Sequence, residues 1–251
     1  MEHYISLRNL NFSYDKQRAV LQNLSLAIDK NETIGLIGCN GAGKSTLLKL
    51  LVGLVPEFEG SATIDGLAIT KKNYFAIRQK LGLIMQTSDN QLFMPSVREE
   101  IAFAPRNYGW SEEKIAQSIT QLATQLDLEI ILDRPLYKIS GGEKKLASLA
   151  AIMVMEPDML LMDEPTGGLD PKNRRHLIDL LQKIPQGKII ASHDLDFIAD
   201  TCDKVILLDK GQIITIGTAL EILQDEATLT AHSLELPLRL QGWNPQRKDT
   251  K

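Results

Sequence analysis

A glycine-rich segment that contains one lysine and one serine could bind phosphate. Residues 38–46 read GCNGAGKST and fit the pattern G-x-x-x-x-G-K-[ST], with the apolar run TIGLIG before the loop and the helix-like run STLLKLL after it. Glycines let backbone N–H groups turn toward phosphate oxygens, and a helix start presents its positive dipole end to the same anion. Lys44 would add a charge at the β- and γ-phosphates of ATP, and Ser45 a hydroxyl ligand for Mg²⁺. A chance glycine turn is the alternative, and the flanking strand and helix patterns disfavour it. The predicted phosphate-binding residues are Gly38, Cys39, Asn40, Gly41, Ala42, Gly43, Lys44, Ser45 and Thr46.

Two consecutive carboxylates follow another apolar run, MLLMDE at residues 159–164. Asp163 stands where a buried strand would end, a position typical of an aspartate that coordinates Mg²⁺ beside a phosphate loop. Glu164 would point to the other side of the strand end, where it could orient or deprotonate an attacking water. Two solvated carboxylates before a proline turn are the alternative, which the phosphate loop makes weaker.

A second glycine-rich helix start, ISGGE, lies at residues 139–143. Ser140 and Glu143 fit an S-x-x-E capping box, which alone would account for both residues. It does not account for Gly141 and Gly142, since a glycine in a helix costs about 1 kcal/mol relative to alanine. Two glycines leave helix-start N–H groups bare, and the serine hydroxyl can accept from the backbone while it donates to a phosphate oxygen. If this site lies apart from the phosphate loop, a head-to-tail pair of chains would let each ISGGE contact the ATP of the other chain.

The surrounding patterns predict the elements that position these residues. Residues 4–14 and 21–28 alternate apolar and polar side chains, as half-buried antiparallel strands do. Residues from about 86 to 156 form a mostly helical segment, with helix starts at Ser96, Ser111 and Ser140 and a capping box between Ser96 and Glu99. After Pro157 strand and helix patterns alternate again, and Asp170 is predicted to cap a helix with Pro171 in its first turn. A further capping box is predicted at residues 218–221.

Composition and charge narrow the class of protein. The chain has 251 residues, 43% of them hydrophobic, and a formal net charge of -4, which favours a folded protein without a broad basic surface for nucleic acid. The apolar runs are too short for a membrane span, and the N-terminal residues lack the pattern of a signal peptide. Cys39 and Cys202 are far apart in sequence, so we expect no disulfide and a reduced, cytoplasmic protein. The histidines are scattered, and no transition-metal site is predicted from them; they are His3, His176, His193 and His232.

The chain resembles the ATPase subunits of ATP-binding-cassette (ABC) transporters over nearly its whole length. The phosphate loop, a lone Gln86 after an apolar strand, SGGE, LLMDEP, GGLD and ASHD occur in the order of that family. The resemblance implies an α/β fold, a P-loop NTPase ABC ATPase core with an antiparallel β sub-domain and an inserted α-helical sub-domain. The ABC ATPase domain would span residues 1–224, and residues 225–251 would form a short C-terminal extension.

The resemblance also implies roles for individual residues. Tyr14 would stack on adenine, Gln86 would bridge Mg²⁺ and a membrane partner, and His193 would contact the γ-phosphate. From the residues alone, Tyr14 could equally be an ordinary strand aromatic, and His193 a hydrogen-bonded histidine at a strand end.

At the interface between two chains, the resemblance implies that Ser140, Gly141 and Gly142 contact the opposite ATP. Asp170 would lie in the loop that crosses the dimer seam. The usual family pentapeptide is LSGGQ. The glutamate in ISGGE can serve the capping box as glutamine does, so we do not expect this difference to inactivate the protein.

The segment after Gln86, TSDNQLFMPSV, resembles the energy-coupling-factor branch of the family, although Ser88 stands where that branch often has proline. SGGEKK and ASHDLDF resemble the cobalt/nickel importers of this branch most. Leu92, Phe93 and Met94 are then expected to line a groove for a membrane subunit, within a docking region from Gln86 to Val97. Packing of this loop under the helical segment is the alternative. An added C-terminal dimerisation domain is not expected.

The predicted function is an ATP-hydrolysing subunit, bound peripherally to the cytoplasmic face of the cell membrane, that powers uptake by an importer of cobalt or nickel ions. A chromosome-maintenance ATPase would need a long coiled coil, and a translation-factor ATPase would need two cassettes in one chain; the sequence has neither. A regulator that does not hydrolyse ATP would be expected to lack Glu164 or His193, and both are present. A soluble ABC ATPase in a non-transport role, such as cluster assembly, stays open as the alternative. The second chain of the dimer could be another copy or a sister ATPase.

Overall fold

The computed structural model describes residues 3–15, 19–55 and 57–242. The strands are β1 (Ile5–Ser13), β2 (Ala19–Ile28), β3 (Thr33–Ile37), β4 (Glu59–Ile64), β5 (Leu67–Ala68), β6 (Leu81–Ile84), β7 (Met159–Asp163), β8 (Gly187–Ala191), β9 (Lys204–Asp209) and β10 (Gln212–Thr218). The α-helices are α1 (Lys44–Leu51), α2 (Tyr74–Lys80), α3 (Val97–Asn107), α4 (Glu112–Gln125), α5 (Gly141–Met153), α6 (Pro171–Lys183), α7 (Leu195–Thr201), α8 (Ala219–Gln224) and α9 (Glu226–Ala231). Short 3-10 turns occur at Ser88–Asn90, Leu136–Lys138 and Leu238–Leu240.

The N-terminal alternation produces an antiparallel sheet, as predicted. Its strand order is β2-β1-β4-β5, and Ile5 pairs with Ile28 on one side and Ile64 on the other. These three isoleucines are fully or almost fully buried, and they belong to the same core as Leu47 and Leu48 of α1. The apolar face of the antiparallel sheet therefore packs toward the helix that follows the phosphate loop.

The second sheet has the order β10-β9-β3-β8-β7-β6. The strands β9, β3, β8, β7 and β6 run parallel, and β10 forms an antiparallel hairpin with β9. Every residue of β7 and β8 is buried, which is typical of parallel strands covered by helices on both faces. Because adjacent parallel strands end at the same edge, the segments after β3, β6, β7 and β8 meet there.

Three helices, α3, α4 and α5, occupy the segment between β6 and β7, where a mostly helical insertion is predicted. Helix α5 packs against α3, α4 and β6. Its contact with β6 is close, because a Cβ atom on Gly82 would lie 2.2 Å from the Ile152 side chain. Helix α5 therefore packs directly on the six-stranded sheet.

The capping boxes of the sequence analysis form at two of three places. They are complete at Ser140 and at residues 218–221. At Ser96 the side chain accepts from the Glu99 N–H at 3.3 Å, but the box is not completed. The Glu99 carboxylate instead binds the guanidinium of Arg106, a charged partner two turns along the same helix, at 2.5 Å. The prediction of a complete capping box at Ser96 is therefore wrong, because the Glu99 side chain does not form the expected hydrogen bond with the Ser96 backbone.

The C-terminal part of the chain contacts the phosphate loop. The Cys39 Sγ donates to the backbone oxygens of His232 and Ser233 at 3.2 and 3.3 Å. Of the predicted extension at residues 225–251, the part after residue 242 lies outside the described residues. None of the helices within the described ranges has both the length and the apolar composition for a bilayer span.

Candidate functional site

The predicted phosphate loop joins the buried strand β3 to α1. Gly38, Gly41 and Gly43 have φ angles of 147°, 81° and 107°, in the region that favours glycine. A Cβ atom on Gly38 would lie 2.1 Å from the Leu208 backbone oxygen, and one on Gly43 would lie 2.8 Å from the Leu21 side chain. Around Gly41 no atom lies within 4 Å of the Cβ position. Packing thus requires glycine at two of these positions, and the third leaves the loop open on one side.

Lys44 is held inside this loop. Its Nζ donates to the backbone oxygens of Gly38 at 2.5 Å and Cys39 at 3.2 Å, and the residue is only 7% exposed. Burial lowers the pKa of Lys44, and the nearby carboxylates of Glu164 and Asp163 oppose that change. A phosphate group could replace the two backbone oxygens as the acceptor of this ammonium group.

Ser45 and Asp163 provide two adjacent oxygens for a divalent cation. The Ser45 hydroxyl donates to Asp163 Oδ1 at 2.9 Å. Burial raises the pKa of Asp163, and the hydrogen bond from Ser45 lowers it. A hydroxyl and a carboxylate fit Mg²⁺, which takes few protein ligands and completes its octahedron with phosphate oxygens and water. No group of three or more His, Cys, Asp or Glu side chains in the described ranges could hold a metal ion. An ion here would therefore depend on the phosphates of a nucleotide.

Gln86, the third predicted metal ligand, lies two residues after β6 with an exposed side chain. Its backbone oxygen accepts from the Nζ of Lys145 in α5 at 2.5 Å. The strand ends bring Gln86 to the same edge of the sheet as Asp163, since β6 and β7 are parallel neighbours. Its contact with Mg²⁺ stays a prediction.

Glu164 is buried at the end of β7, with 7% of the residue exposed. Its Oε2 accepts from the Ser192 hydroxyl at 3.1 Å and the His193 N–H at 3.3 Å, and it lies 2.8 Å from His193 Nδ1. The parallel pairing of β7 with β8 creates this cluster, because the Glu164 N–H donates to the Ala191 oxygen at 2.8 Å. The φ of Glu164 is 47°, a conformation that costs about 1–3 kcal/mol in a residue other than glycine. The surrounding contacts hold the carboxylate in one orientation despite this strain, as a positioned general base requires.

Ser192 is a site residue that the sequence analysis missed. It is fully buried, donates to Glu164 and accepts from the Asp194 N–H at 3.1 Å. Asp194 is in turn held by Arg174 of α6 through two hydrogen bonds, at 2.7 and 2.9 Å. The signal was present in ASHD as a serine between the strand end and His193, whose own side chain is 68% exposed. Ser192 thus links the orientation of Glu164 to the start of α7.

The ISGGE segment begins α5. Ser140 accepts from the Glu143 N–H at 3.3 Å, and the Glu143 carboxylate accepts from the Ser140 N–H at 2.6 Å. A Cβ atom on Gly142 would lie 2.8 Å from the Asn173 side chain, whereas one on Gly141 would meet no atom within 4 Å. Packing within the chain therefore explains Gly142 and leaves Gly141 unexplained.

Asp170 lies beside ISGGE through Asn173. Its carboxylate accepts from the backbone and side-chain N–H groups of Asn173, each at 2.8 Å, and these bonds lower the pKa of Asp170. Asp170 therefore caps α6, as predicted, and the structure brings it together with Gly142. Helix α1 packs against β2 and β7, whereas α5 packs against α3, α4 and β6.

Tyr14 borders a cavity of about 940 Å³ beside the phosphate loop. Its hydroxyl lies 3.3 Å from Thr46 Oγ1, and its ring packs edge-on against Phe12 with 4.9 Å between the centroids. The residue is 57% exposed. The cavity is also lined by Asn40 and Ser233. Stacking of adenine on Tyr14 fits this position and stays a prediction.

Comparison with known proteins adds a family to this geometry. Residues 21–167 match the family model described as ABC transporter. The energy-coupling factor transporter ATP-binding protein EcfA2 of Methanospirillum hungatei is 39% identical over 246 residues, covering 96% of this chain and 62% of that protein. EcfA of Methanothermobacter thermautotrophicus is 36% identical over 238 residues, covering 93% and 76%. Among solved structures, cbiO1 from Clostridium perfringens, part of the ABC transporter complex cbiONQ, has a TM-score of 0.82 and 29% identity, covering 92% of this chain and 94% of that one.

We expect Glu164→Gln to lower the rate of Mg²⁺-dependent ATP hydrolysis by about 10²–10⁴-fold, since an amide can accept the Ser192 hydrogen bond but cannot take a proton from water. Phosphate release at saturating ATP measures this change. Glu156→Gln is the matched control, because Glu156 is exposed and also has a left-handed φ, 51°, away from the strand ends. A near-normal rate in Glu164→Gln would exclude Glu164 as the general base.

Proposed function

Because the chain belongs to the ABC transporter family, as an ATPase of the energy-coupling-factor type that couples ATP hydrolysis to transport, we propose that it powers uptake through a membrane importer of cobalt or nickel ions. It would bind peripherally at the cytoplasmic face of the cell membrane. The observation that carries the proposal is the cluster at the sheet edge, where the phosphate loop, Asp163 and Glu164 follow parallel strands. The likeness to cbiO1, which is part of an ABC transporter complex, supports a membrane partner. The motifs SGGEKK and ASHDLDF, which resemble those of cobalt/nickel importers, support the choice of cargo.

Each residue at the sheet edge has a task in hydrolysis. Lys44 and the N–H groups of the loop would bind the β- and γ-phosphates, and Ser45 and Asp163 would hold Mg²⁺, which neutralises phosphate charge when bound. Glu164 would accept a proton from the attacking water, and His193 would contact the γ-phosphate. Glu164 and His193 already lie 2.8 Å apart, so a γ-phosphate bound by His193 would be close to the base.

The open helix start of α5 supports a shared nucleotide site. Ser140 and Gly141 are exposed, and the capping box leaves the Ser140 hydroxyl free to donate. In a head-to-tail dimer this surface would contact the ATP bound to the second chain, which is either another copy or a sister ATPase. Asp170, which lies beside Gly142 through Asn173, would then face the same seam.

The loop after Gln86 is the proposed contact for the membrane subunits. Phe93 is 64% exposed and packs edge-on against the 40% exposed Phe103, with 4.8 Å between the ring centroids. The Glu100 carboxylate accepts from the N–H groups of Phe93 and Met94 at 2.9 and 2.8 Å and so orders the apolar turn. Leu92 instead packs against the core, as the alternative of a packed loop predicts for that residue. An exposed, ordered aromatic pair is suited to docking a membrane-subunit helix.

We expect Lys44→Ala and Ser140→Arg chains to be inactive alone and to regain ATP hydrolysis when mixed. In the mixed dimer one site combines the intact phosphate loop of one chain with the intact ISGGE of the other, and the second site combines both defects. Phosphate release before and after mixing measures the recovery. Full activity in the mixture, or none when two differently tagged chains are shown to associate, would contradict sites shared between chains.

A mild-detergent pull-down of the tagged protein from its own membranes is expected to recover polytopic subunits. Phe93→Asp should lower that recovery about tenfold or more, since it places a charge in an apolar contact. Leu220→Asp is the matched control, because Leu220 is 66% exposed and lies on α8, away from the loop. If only soluble partners are recovered with an intact complex, the non-transport alternative gains support.

Cells that carry the protein should accumulate radiolabelled Co²⁺ or Ni²⁺ faster than cells with Lys44→Ala, because that variant lacks the phosphate-binding ammonium group. Initial uptake rates from low external metal concentrations provide the measurement. Equal rates for both ions in the two strains, with polytopic subunits recovered as above, would reject the proposed cargo and leave the importer assignment standing.

A further inference from the structure

A second buried lysine lies in the helical segment. Lys145 of α5 is 5% exposed, and its Nζ donates to the backbone oxygen of Gln86 at 2.5 Å. Burial lowers the pKa of Lys145, and the charges of Asp163 and Glu164 oppose that change. The same two carboxylates oppose the lowering of the Lys44 pKa by burial. The roles assigned above do not use Lys145.

The contact of Lys145 spans two parts of the chain. Gln86 and Lys145 are 59 residues apart in sequence, and the Ser88–Asn90 turn packs on α5. Lys144 adds an ion pair with Asp89 at 2.6 Å, but the Asp89 side chain is 68% exposed, and such surface pairs contribute little. Within the described residues, the part-buried bond from Lys145 is therefore the stronger of these two polar links between α5 and the loop.

Among the described residues, Lys188 is the other buried lysine outside the phosphate loop, and it makes different contacts. Lys188 is also 5% exposed, and its Nζ donates to the backbone oxygens of Ile184 and Gln186 at 2.7 and 2.8 Å. Both acceptors lie within four residues of Lys188, so that lysine secures only its own turn. Lys188 provides a comparison for the loss of a buried ammonium group without a long-range link.

We propose that Lys145 is a positioning residue that fixes the Gln86 loop to the helix that begins with ISGGE. Lys145 follows Gly141 by about one turn of a rigid helix, roughly 6 Å along its axis. A partner bound to the Gln86 loop and a phosphate bound at the start of α5 would then both act on the same rigid body, which is α5 with the loop attached through Lys145. The part of this inference that concerns the membrane partner and the second ATP rests on the proposed function; the link itself does not.

Hydrogen exchange in the nucleotide-free protein tests the link. Lys145→Met removes the donor and keeps an unbranched apolar side chain one atom shorter, so exchange of the backbone amides in residues 86–92 should rise about tenfold. Lys188→Met removes an equally buried ammonium group and should leave exchange of this loop unchanged. Unchanged loop exchange in a folded Lys145→Met protein would overturn the proposal. If that variant does not fold, Lys145→Gln, whose donor is one bond shorter, is read in the same way, and no rise in exchange would again overturn it.

A double-variant cycle tests whether Lys145 acts through the loop. We expect Lys145→Met combined with Gln86→Ala to hydrolyse ATP no more slowly than the slower single variant, since both changes disable one connected unit. Lys188→Met and Gln86→Ala should give independent, multiplying effects. If the losses from Lys145→Met and Gln86→Ala multiply, Lys145 acts on the carboxylates or on stability, and the proposal is wrong. Neither test uses a membrane partner, so a failed pull-down would not affect its outcome.

Discussion

The alignment of parallel strand ends at one edge of the six-stranded sheet is the constraint on which the site depends. The strands β3, β8 and β7 are neighbours, and the register pairs Leu36 with Ala191 and Ala191 with Asp163. The phosphate loop, His193 and Glu164 all begin one or two residues after these paired positions, so the register sets their separation. A shift of one residue in the register of any of these strands would turn its side chains to the opposite face of the sheet, and the site residues would no longer lie together. Every residue of β7 and β8 and all but the first residue of β3 are buried, which disfavours such a shift.

The edge of the sheet and the elements packed on it contain four buried charged residues, whose burial is unfavourable for folding. Lys44, Lys145, Asp163 and Glu164 are each less than 9% exposed. Burying charged groups is unfavourable unless they are paired or hydrogen-bonded, and here two cations balance two anions. Each group also has a hydrogen-bond partner within the chain, which is a backbone oxygen for each lysine and a hydroxyl for each carboxylate. Binding of a nucleotide would therefore exchange hydrogen bonds within the chain for bonds to phosphate, and its affinity would reflect the difference between the two sets.

The sequence predicted the parts of the fold and the candidate site that depend on local spacing. The phosphate loop, the strand before Asp163 and the caps at Ser140 and Asp170 involve residues within a few positions of one another, so their patterns could be read directly. The contacts of Ser192 and Lys145 could not be read in this way, because their partners are 28 and 59 residues away in the sequence. For Ser192 the motif ASHD indicated the position but not the partner. The wrong half of the box at Ser96 has a related cause, since Arg106 competes for Glu99 once the helix has formed.

The two glycines of ISGGE differ in what requires them: packing within the chain accounts for Gly142, whereas Gly141 has no such contact. Gly142 needs glycine because Asn173 occupies the space that a Cβ atom would take. Gly141 has helical φ, no neighbour within 4 Å, and a position in a helix where glycine costs about 1 kcal/mol relative to alanine. No contact within the described part of the chain offsets this loss of helix stability. Binding of a ligand to the backbone from outside would offset it, because a methyl group at Gly141 would stand between the ligand and the bare N–H groups of the helix start. The phosphate of an ATP bound to a second chain, as proposed above, would meet this requirement, and the adjoining Ser140 hydroxyl would supply a donor for it.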